Sequence, residues 1–300
     1  MNNDTGTLKF IVQNEYDGLK LNQYLRSVVK FSSRFTQKVV RSGGVKVNNV
    51  NATLFTKLSA GDNIEVYIDK SEEQDIIPEK MELDIVYEDK DIIVVNKPAG
   101  IVVHPTKRYP QGTLANGLLY HFKQNGDNCI VRLVSRLDMD TSGLILVAKN
   151  AFSHMSLARD MNKEQFVKAY LAIVHGNLPQ EKGVIDKPIY KPDDGSIKRI
   201  IDGRGQKSIT HFNVVERFNN SDLVRLVLET GRTHQIRVHL SSMGTSIYGD
   251  SLYGKEEDEY INRQALHAYS LQILHPRSGE LLKFQCELPD DMKELLRKLK

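Results

Sequence analysis

Asp138, Asp140 and Arg136 stand within five residues of one another, between an apolar run that ends at Val134 and another that begins at Leu144. A carboxylate held where two buried strands meet a turn can act as a nucleophile or as half of an acid and base pair, because the strands fix it and exclude part of the water. An ordinary turn stabilised by Asp and Ser side chains is the alternative reading of the same residues. Further polar residues could join such a site. Lys97 and His104 flank the tight turn Pro98-Ala99-Gly100, and Arg237 sits at the margin of the apolar stripe Ile236, Leu240 and Met243. An arginine there can be a surface ion pair or the counter-ion of a buried carboxylate. Lys168 and Tyr170, two apart, share one face of an extended segment, where a tyrosine can fill the core or stack on a base. Later come Gly249-Asp250, Tyr253-Gly254 and His267-Ala268.

The elements that must position these groups follow from hydrophobic period and turn chemistry. Ile85-Val86-Tyr87 and Ile92-Ile93-Val94-Val95 predict a hairpin across a charged turn. Residues 113–123 have helical spacing, 144–147 read as a buried strand, 151–161 as a helix and 166–174 as another strand. Residues 223–229 alternate as a strand ending at Thr230-Gly231, after which a helix is predicted from Arg232 to Leu240. A final amphipathic helix starts at Asp290.

Toward the N-terminus, Leu21, Tyr24, Leu25 and Val28 predict one helix, and Phe35, Val39 and Val40 a second, with Ser32-Ser33 as candidate caps. Gly43-Gly44 stops the helical pattern, Val45-Lys46-Val47 enters a tight turn at Asn48-Asn49, and Ile64 to Ile68 alternate as a strand.

Three hundred residues suffice for one large or two unequal domains, and the ordinary apolar and charged fractions argue against wholesale disorder. No apolar run approaches a membrane span and the first residues lack a signal-peptide core, so a cytoplasmic protein is expected. Cys129 and Cys286 lie far apart without metal-ligand spacing and read as ordinary residues. The net charge of +3 is unevenly spread: residues 18–68 carry eight cations against Asp62 and Glu65, a net of +6. The next stretch, residues 69–89, has nine acidic residues against Lys70 and Lys80, and predicts a solvated linker and a domain boundary. The expected organisation is an extension at 1–17, a basic module at 18–68, an acidic linker at 69–82 and a large domain at 83–300. Arg34, Lys38, Arg41 and Lys46, on or just after the module's helices, are expected to grip phosphates.

Two resemblances sharpen this reading. The stretch running from Leu21 through Ser33-Arg34, Gly44-Val45-Lys46-Val47-Asn48 and Gly61-Asp62 resembles the S-four-type RNA-binding domain. Five motifs in order look like the RluA-type pseudouridine synthases: Asn96-Lys97-Pro98-Ala99-Gly100, Arg136-Leu137-Asp138 with Thr141-Ser142-Gly143-Leu144, Lys168-Ala169-Tyr170-Leu171-Ala172, residues 231–239, and His267-Ala268. The second resemblance covers residues 83–289. It implies an α+β fold with a mixed, mainly antiparallel sheet, flanking helices and a central catalytic cleft.

The implied reaction is isomerisation of uridine to pseudouridine in structured RNA, with large-subunit ribosomal RNA favoured over transfer RNA, by a monomer. It implies no cofactor, and no nucleotide-binding glycine loop, metal cluster or cofactor motif stands in the sequence. By the same resemblance Asp138 is the nucleophile, Arg237 the basic residue paired with it, and Tyr170 the ring stacked on the target base. Arg136 would help hold the nucleotide out of the helix, with Lys97 and Arg232 as further RNA contacts. The family usually has His before Arg136, where this chain has Ser135, which puts substrate preference in question before catalysis. Two other readings stand beside these: a glycosidase-like hydrolase using Asp138 and Asp140 at roughly 5–9 Å, and a non-catalytic RNA-binding factor.

Overall fold

Short alternating segments punctuated by Gly and Asn make the first part of the chain a four-stranded sheet under two helices. A computed structural model describes residues 6–68, 74–254 and 260–300. In it β1 (Thr7–Ile11), α1 (Leu21–Ser27), α2 (Ser33–Arg41), β2 (Val45–Val47), β3 (Val50–Asn51) and β4 (Asn63–Tyr67) form the N-terminal module, with strand order β1-β4-β2-β3. Ser32 caps α2, its side chain accepting from the Phe35 N–H. Asn48 and Asn49, at φ of 49° and 68°, make the tight turn between β2 and β3. Strand β1 pairs antiparallel with β4, Leu8 opposite Val66, so the module's sheet begins at Thr7, eleven residues before the predicted start at residue 18.

The acidic stretch differs from the solvated linker predicted for it. Residues 69–73 lie outside the described residues, but the rest is strapped to the large domain. The Val131 N–H donates to the Gln74 side chain, Asn116 Nδ2 donates to the Ile77 carbonyl at 2.7 Å, and the Gly112 N–H donates to Glu79. Ile76 is buried with Val103 and Leu118 in one apolar cluster. The charges misled because Gln74, Ile76 and the Ile77 carbonyl make the fastening contacts while Asp75, Lys80 and Glu82 stay exposed.

The large domain runs β5 (Ile85–Glu88), β6 (Ile92–Lys97), α3 (Leu114–Gln124), β7 (Arg132–Leu133), β8 (Ser142–Ala148), α4 (Ala151–Asp160), β9 (Val167–His175), β10 (Lys182–Asp186), β11 (Ile189–Tyr190), β12 (Ile200–Ile201), β13 (Ile209–Phe218), β14 (Ser221–Leu228), α5 (Gln235–Ser241), β15 (Leu266–Leu274), β16 (Leu281–Gln285) and α6 (Asp290–Leu299). Its main sheet has the order β10-β13-β14-β9-β15-β8-β6-β5 and is antiparallel except where β15 meets β8. All seven residues of β8 are buried, because β6 and β15 flank it and clusters carrying α3 and α4 cover its faces. Gly143 meets Ala268 so closely that a Cβ there would fall 2.3 Å from the Ala268 carbonyl oxygen, at a φ of 111° that disfavours side chains anyway.

The N-terminal module docks on α4. The Phe31 and Phe152 rings meet edge to face at 5.7 Å, and Ala151 and Met155 pack against the module's core. Arg159 Nη1 donates to the Lys30 carbonyl, and Arg277 Nη1 donates to the Thr7 carbonyl while pairing with Asp91. Among the described residues no helix is long and apolar enough to cross a membrane.

Candidate active site

The turn after β7 brings Asp138 to the mouth of a cavity of about 480 Å³, and the loop around it is held residue by residue. The Asp138 carbonyl accepts from the Thr141 N–H, and the Met139 carbonyl accepts from the Gly100 N–H. Lys97 donates to that same Met139 carbonyl at 2.8 Å, and Arg263 donates to the Asp140 carbonyl at 3.1 Å. Gln264 donates to the Thr141 hydroxyl, and the Ser142 hydroxyl meets His267 Nδ1 at 2.9 Å. A reactive group placed on so constrained a backbone needs little reorganisation before chemistry.

Lys97 therefore does something other than the RNA contact expected of it. It is fully buried, and its ammonium donates to the Pro98, Ile101 and Met139 carbonyls at 2.7, 3.0 and 2.8 Å. Burial draws its pKa down to about 8, and three carbonyl acceptors replace its hydration. Lys97 fastens the turn after β6 to the Asp138 loop.

Arg237, buried on α5, reaches Asp138 Oδ2 with Nη1 at 3.1 Å. Its other nitrogens grip Asp250 in a fork, Nε to Oδ2 and Nη2 to Oδ1, both at 2.7 Å. Burial opposes a charge there, but the two carboxylates overcome it and raise the guanidinium above its usual range. The Asp138 side chain keeps 28% of its surface exposed against 1% for Asp250. Among the described residues Asp138 Oδ1 receives no hydrogen bond, so one oxygen is held and the other is open to a ligand.

His234 approaches the held oxygen as well, with Nε2 3.9 Å from Asp138 Oδ2. Its Nδ1 lies 2.8 Å from the Tyr253 hydroxyl, which also accepts from the Arg199 N–H at 2.7 Å. Burial lowers the His234 pKa below its ordinary range. The neutral ring with Nδ1 accepting from Tyr253 turns its Nε2–H toward the carboxylate.

His234 is also where the predicted helix fails to start. It sits at a left-handed φ of 58°, and α5 begins at Gln235 rather than at Arg232. The buried Gln235 side chain accepts from the Thr230 hydroxyl and the Arg232 N–H and donates to the Ile209 carbonyl and the Thr210 hydroxyl, tying the loop to β13 before the helix begins.

Tyr170, from β9, lines the same cavity and is almost wholly buried. Burial, reinforced by the nearby Asp138 charge, raises its hydroxyl pKa, so the phenol stays protonated. Lys168, His104, Arg136 and Arg232 also line the cavity, the last three exposed at its rim. Asp140 does not: it faces a separate groove with Arg263 and Asp291. This placement removes the acid and base pair that a hydrolase would need. On the module, Arg34, Lys38 and Arg41 lie at i, i+4 and i+7 on the exposed face of α2, and Lys46 extends over the Tyr67 ring at 5.4 Å.

Asp250, Tyr253 and His234 were not predicted as site residues. The signal that could have found the first two is an acid and an aromatic bracketed by Gly249 and Gly254. A Cβ at Gly249 would stand 2.1 Å from the Arg263 carbonyl oxygen, so the turn that aims Asp250 admits only glycine.

The cleft thus brings together one half-open carboxylate, its arginine and a buried tyrosine, an arrangement suited to an enzyme active site. Residues 91–242 match the family model described as RNA pseudouridylate synthase. An uncharacterised RNA pseudouridine synthase of Bacillus subtilis, YhcT, is 40% identical over 302 residues, covering 99% of each chain. The ribosomal large subunit pseudouridine synthase D of Nitrosomonas europaea is 37% identical, covering 98% of this chain and 88% of its own. Among solved structures, human RNA pseudouridylate synthase domain containing 1 superposes with a TM-score of 0.57 at 27% identity, over 73% of this chain and 94% of that one. The chain belongs to the RNA pseudouridine synthase family, and it is an isomerase.

Proposed function

We propose that Asp138 is the nucleophile with which this enzyme converts specific uridines of large-subunit ribosomal RNA to pseudouridine. The carrying observation is the asymmetry of its carboxylate, with Oδ2 on Arg237 and Oδ1 open to the cavity. Arg237 fixes one oxygen by a charge-assisted hydrogen bond while the other oxygen remains able to attack ribose C1′ or uracil C6. The target uridine must leave its stack to reach that oxygen. Arg136, exposed at the rim, takes the role of holding it out, and Tyr170 offers a face for the base. Arg232 lies beside the same opening as a phosphate contact.

The ribosomal target is supported by relatives of 36–37% identity named ribosomal large subunit pseudouridine synthase D, and a reaction in the cytoplasm is consistent with that target. The N-terminal module acts as an S-four-type RNA-binding domain, a reading supported by the cationic stripe Arg34, Lys38 and Arg41 with Lys46 nearby.

Purified protein is expected to release tritium from ribosomal RNA labelled at uracil C5. Asp138→Asn should abolish release while RNA still binds. Full activity in Asp138→Asn would sink the nucleophile assignment. Mapping pseudouridine in cellular RNA with and without the gene tests the target, and a lost site in transfer RNA alone would move the assignment there.

A further inference from the structure

Among the described residues the buried or nearly buried cations are compensated, with one exception. Lys97 has three carbonyls, Lys149 has Glu88 and Asp127 at 2.8 and 2.6 Å, and Arg237 has Asp250 and Asp138. Lys168, partly buried in the wall of the Asp138 cavity, has neither hydrogen bond nor ion pair among the described residues. Its one neighbour of note is the Phe166 ring, 5.7 Å away, a contact worth about 0.5–1 kcal/mol. Burial lowers its pKa and no anion opposes the shift. Leaving an ammonium uncompensated in a half-dry cleft costs free energy unless a ligand supplies the missing charge.

The position of Lys168 says which ligand. It stands two residues before Tyr170 on the same face of β9, and both side chains line the cavity with Asp138. Gly231 borders it from the loop after β14: a Cβ there would stand 3.9 Å from the Lys168 ammonium, an ordinary contact distance. We propose that Lys168 binds an anionic oxygen of the target nucleotide. This rests on Asp138 being the reaction centre.

Two oxygens of that nucleotide fit. When the N1–C1′ bond breaks, its electron pair goes to the uracil, and the charge spreads onto O2 and O4. The pair is consumed when C5 bonds to C1′, and the C5 proton then leaves while N1 takes one up. A cation aimed at O2 or O4 therefore stabilises a charge that exists only midway through the reaction. The other oxygen belongs to the flanking phosphate, which is charged throughout and contributes to binding alone.

The test uses the full chain, with Lys168→Met to remove the charge at similar length and Lys168→Arg to retain it. Tritium release is followed in single turnover at saturating RNA, and Kd is measured across a salt series. If the uracil is the ligand, Lys168→Met slows the saturated step roughly 100-fold while Kd changes by less than about twofold. If the phosphate is the ligand, Lys168→Met weakens binding more than it slows that step, and the salt slope falls by about one. In either case Lys168→Arg recovers most of the loss. Wild-type rate and salt slope in Lys168→Met overturn the proposal. So does an equal loss in both variants accompanied by lowered melting temperatures, which would assign the lysine to packing. Loss of release in Asp138→Asn is measured separately, so failure of the nucleophile assignment and failure of this one are told apart.

Discussion

Arg237 divides one positive charge between two carboxylates of unequal burial. Asp250 is the anchor, sealed from solvent and bidentate, whereas Asp138 receives a single contact and keeps an open oxygen. The two acids should behave differently when removed. Asp250→Ala strands a buried guanidinium and should cost about 3–5 kcal/mol in urea unfolding, with activity falling too. Asp138→Ala leaves Arg237 its better partner and should shift stability by no more than about 1 kcal/mol while abolishing turnover. Equal destabilisation by the two variants would contradict this division. The pairing of Asp138 with Arg237 was legible through the family resemblance, since their apolar surroundings alone left a plain turn and a surface ion pair open. Asp250 was not, since nothing in the 13 residues after Arg237 shows that a loop folds back upon it. Lys97 misled for the opposite reason: a lysine in a turn suggests exposure, and only the assembled structure shows three carbonyls converging on it.

At the scale of elements, β15 is the support of the Asp138 loop. His267, buried on β15, joins the Ser142 hydroxyl at Nδ1 and the Cys286 sulfur at Nε2, linking the loop to β15 and to the end of β16. Burial drives the His267 pKa down to about 4, with the Arg263 charge adding to the effect. The unfolded chain, with histidine near its ordinary value of about 6.5, takes up that proton first as pH falls. Stability from this residue is therefore complete above about pH 6.5 and lost as pH falls toward 4, by about 3 kcal/mol in all. Urea unfolding of His267→Gln across this range should show a shallower acid decline than the parent, and parallel curves would refute the linkage. Strands such as β8 and β9 were readable because continuous or alternating apolar residues set their period. The start of α5 was not, because four hydrogen bonds of the Gln235 side chain override a helical pattern that extends back to Arg232. Strand β1 was missed because its pairing partner, β4, lies some fifty residues away.

On the scale of the whole molecule, the N-terminal module is fixed to the large domain through Phe31, Phe152 and the contacts of Arg159 and Arg277. Its cationic stripe thus stands at a set distance from Asp138 and does not swing on a tether. Under the proposed role, Arg34, Lys38 and Arg41 each neutralise a phosphate. Changing all three to Gln should weaken RNA binding and reduce the salt slope by about 2, at roughly 0.7 per contact on single strands. An unchanged slope would remove this face from recognition. The parallel pairing of β8 with β15 bears on the enzyme's birth. The loop bearing Asp138 is clamped by residues more than a hundred positions later, Ala268 opposite Gly143 and His267 opposite Ser142. At ordinary translation speeds of about 5–20 residues per second, the interval between synthesis of Ser142 and Leu274 is roughly 7–26 s. Throughout that time the nascent chain carries Asp138 on a loop that lacks its β15 partner. The clamp on the Asp138 loop is therefore a contact that forms only once β15 has been made.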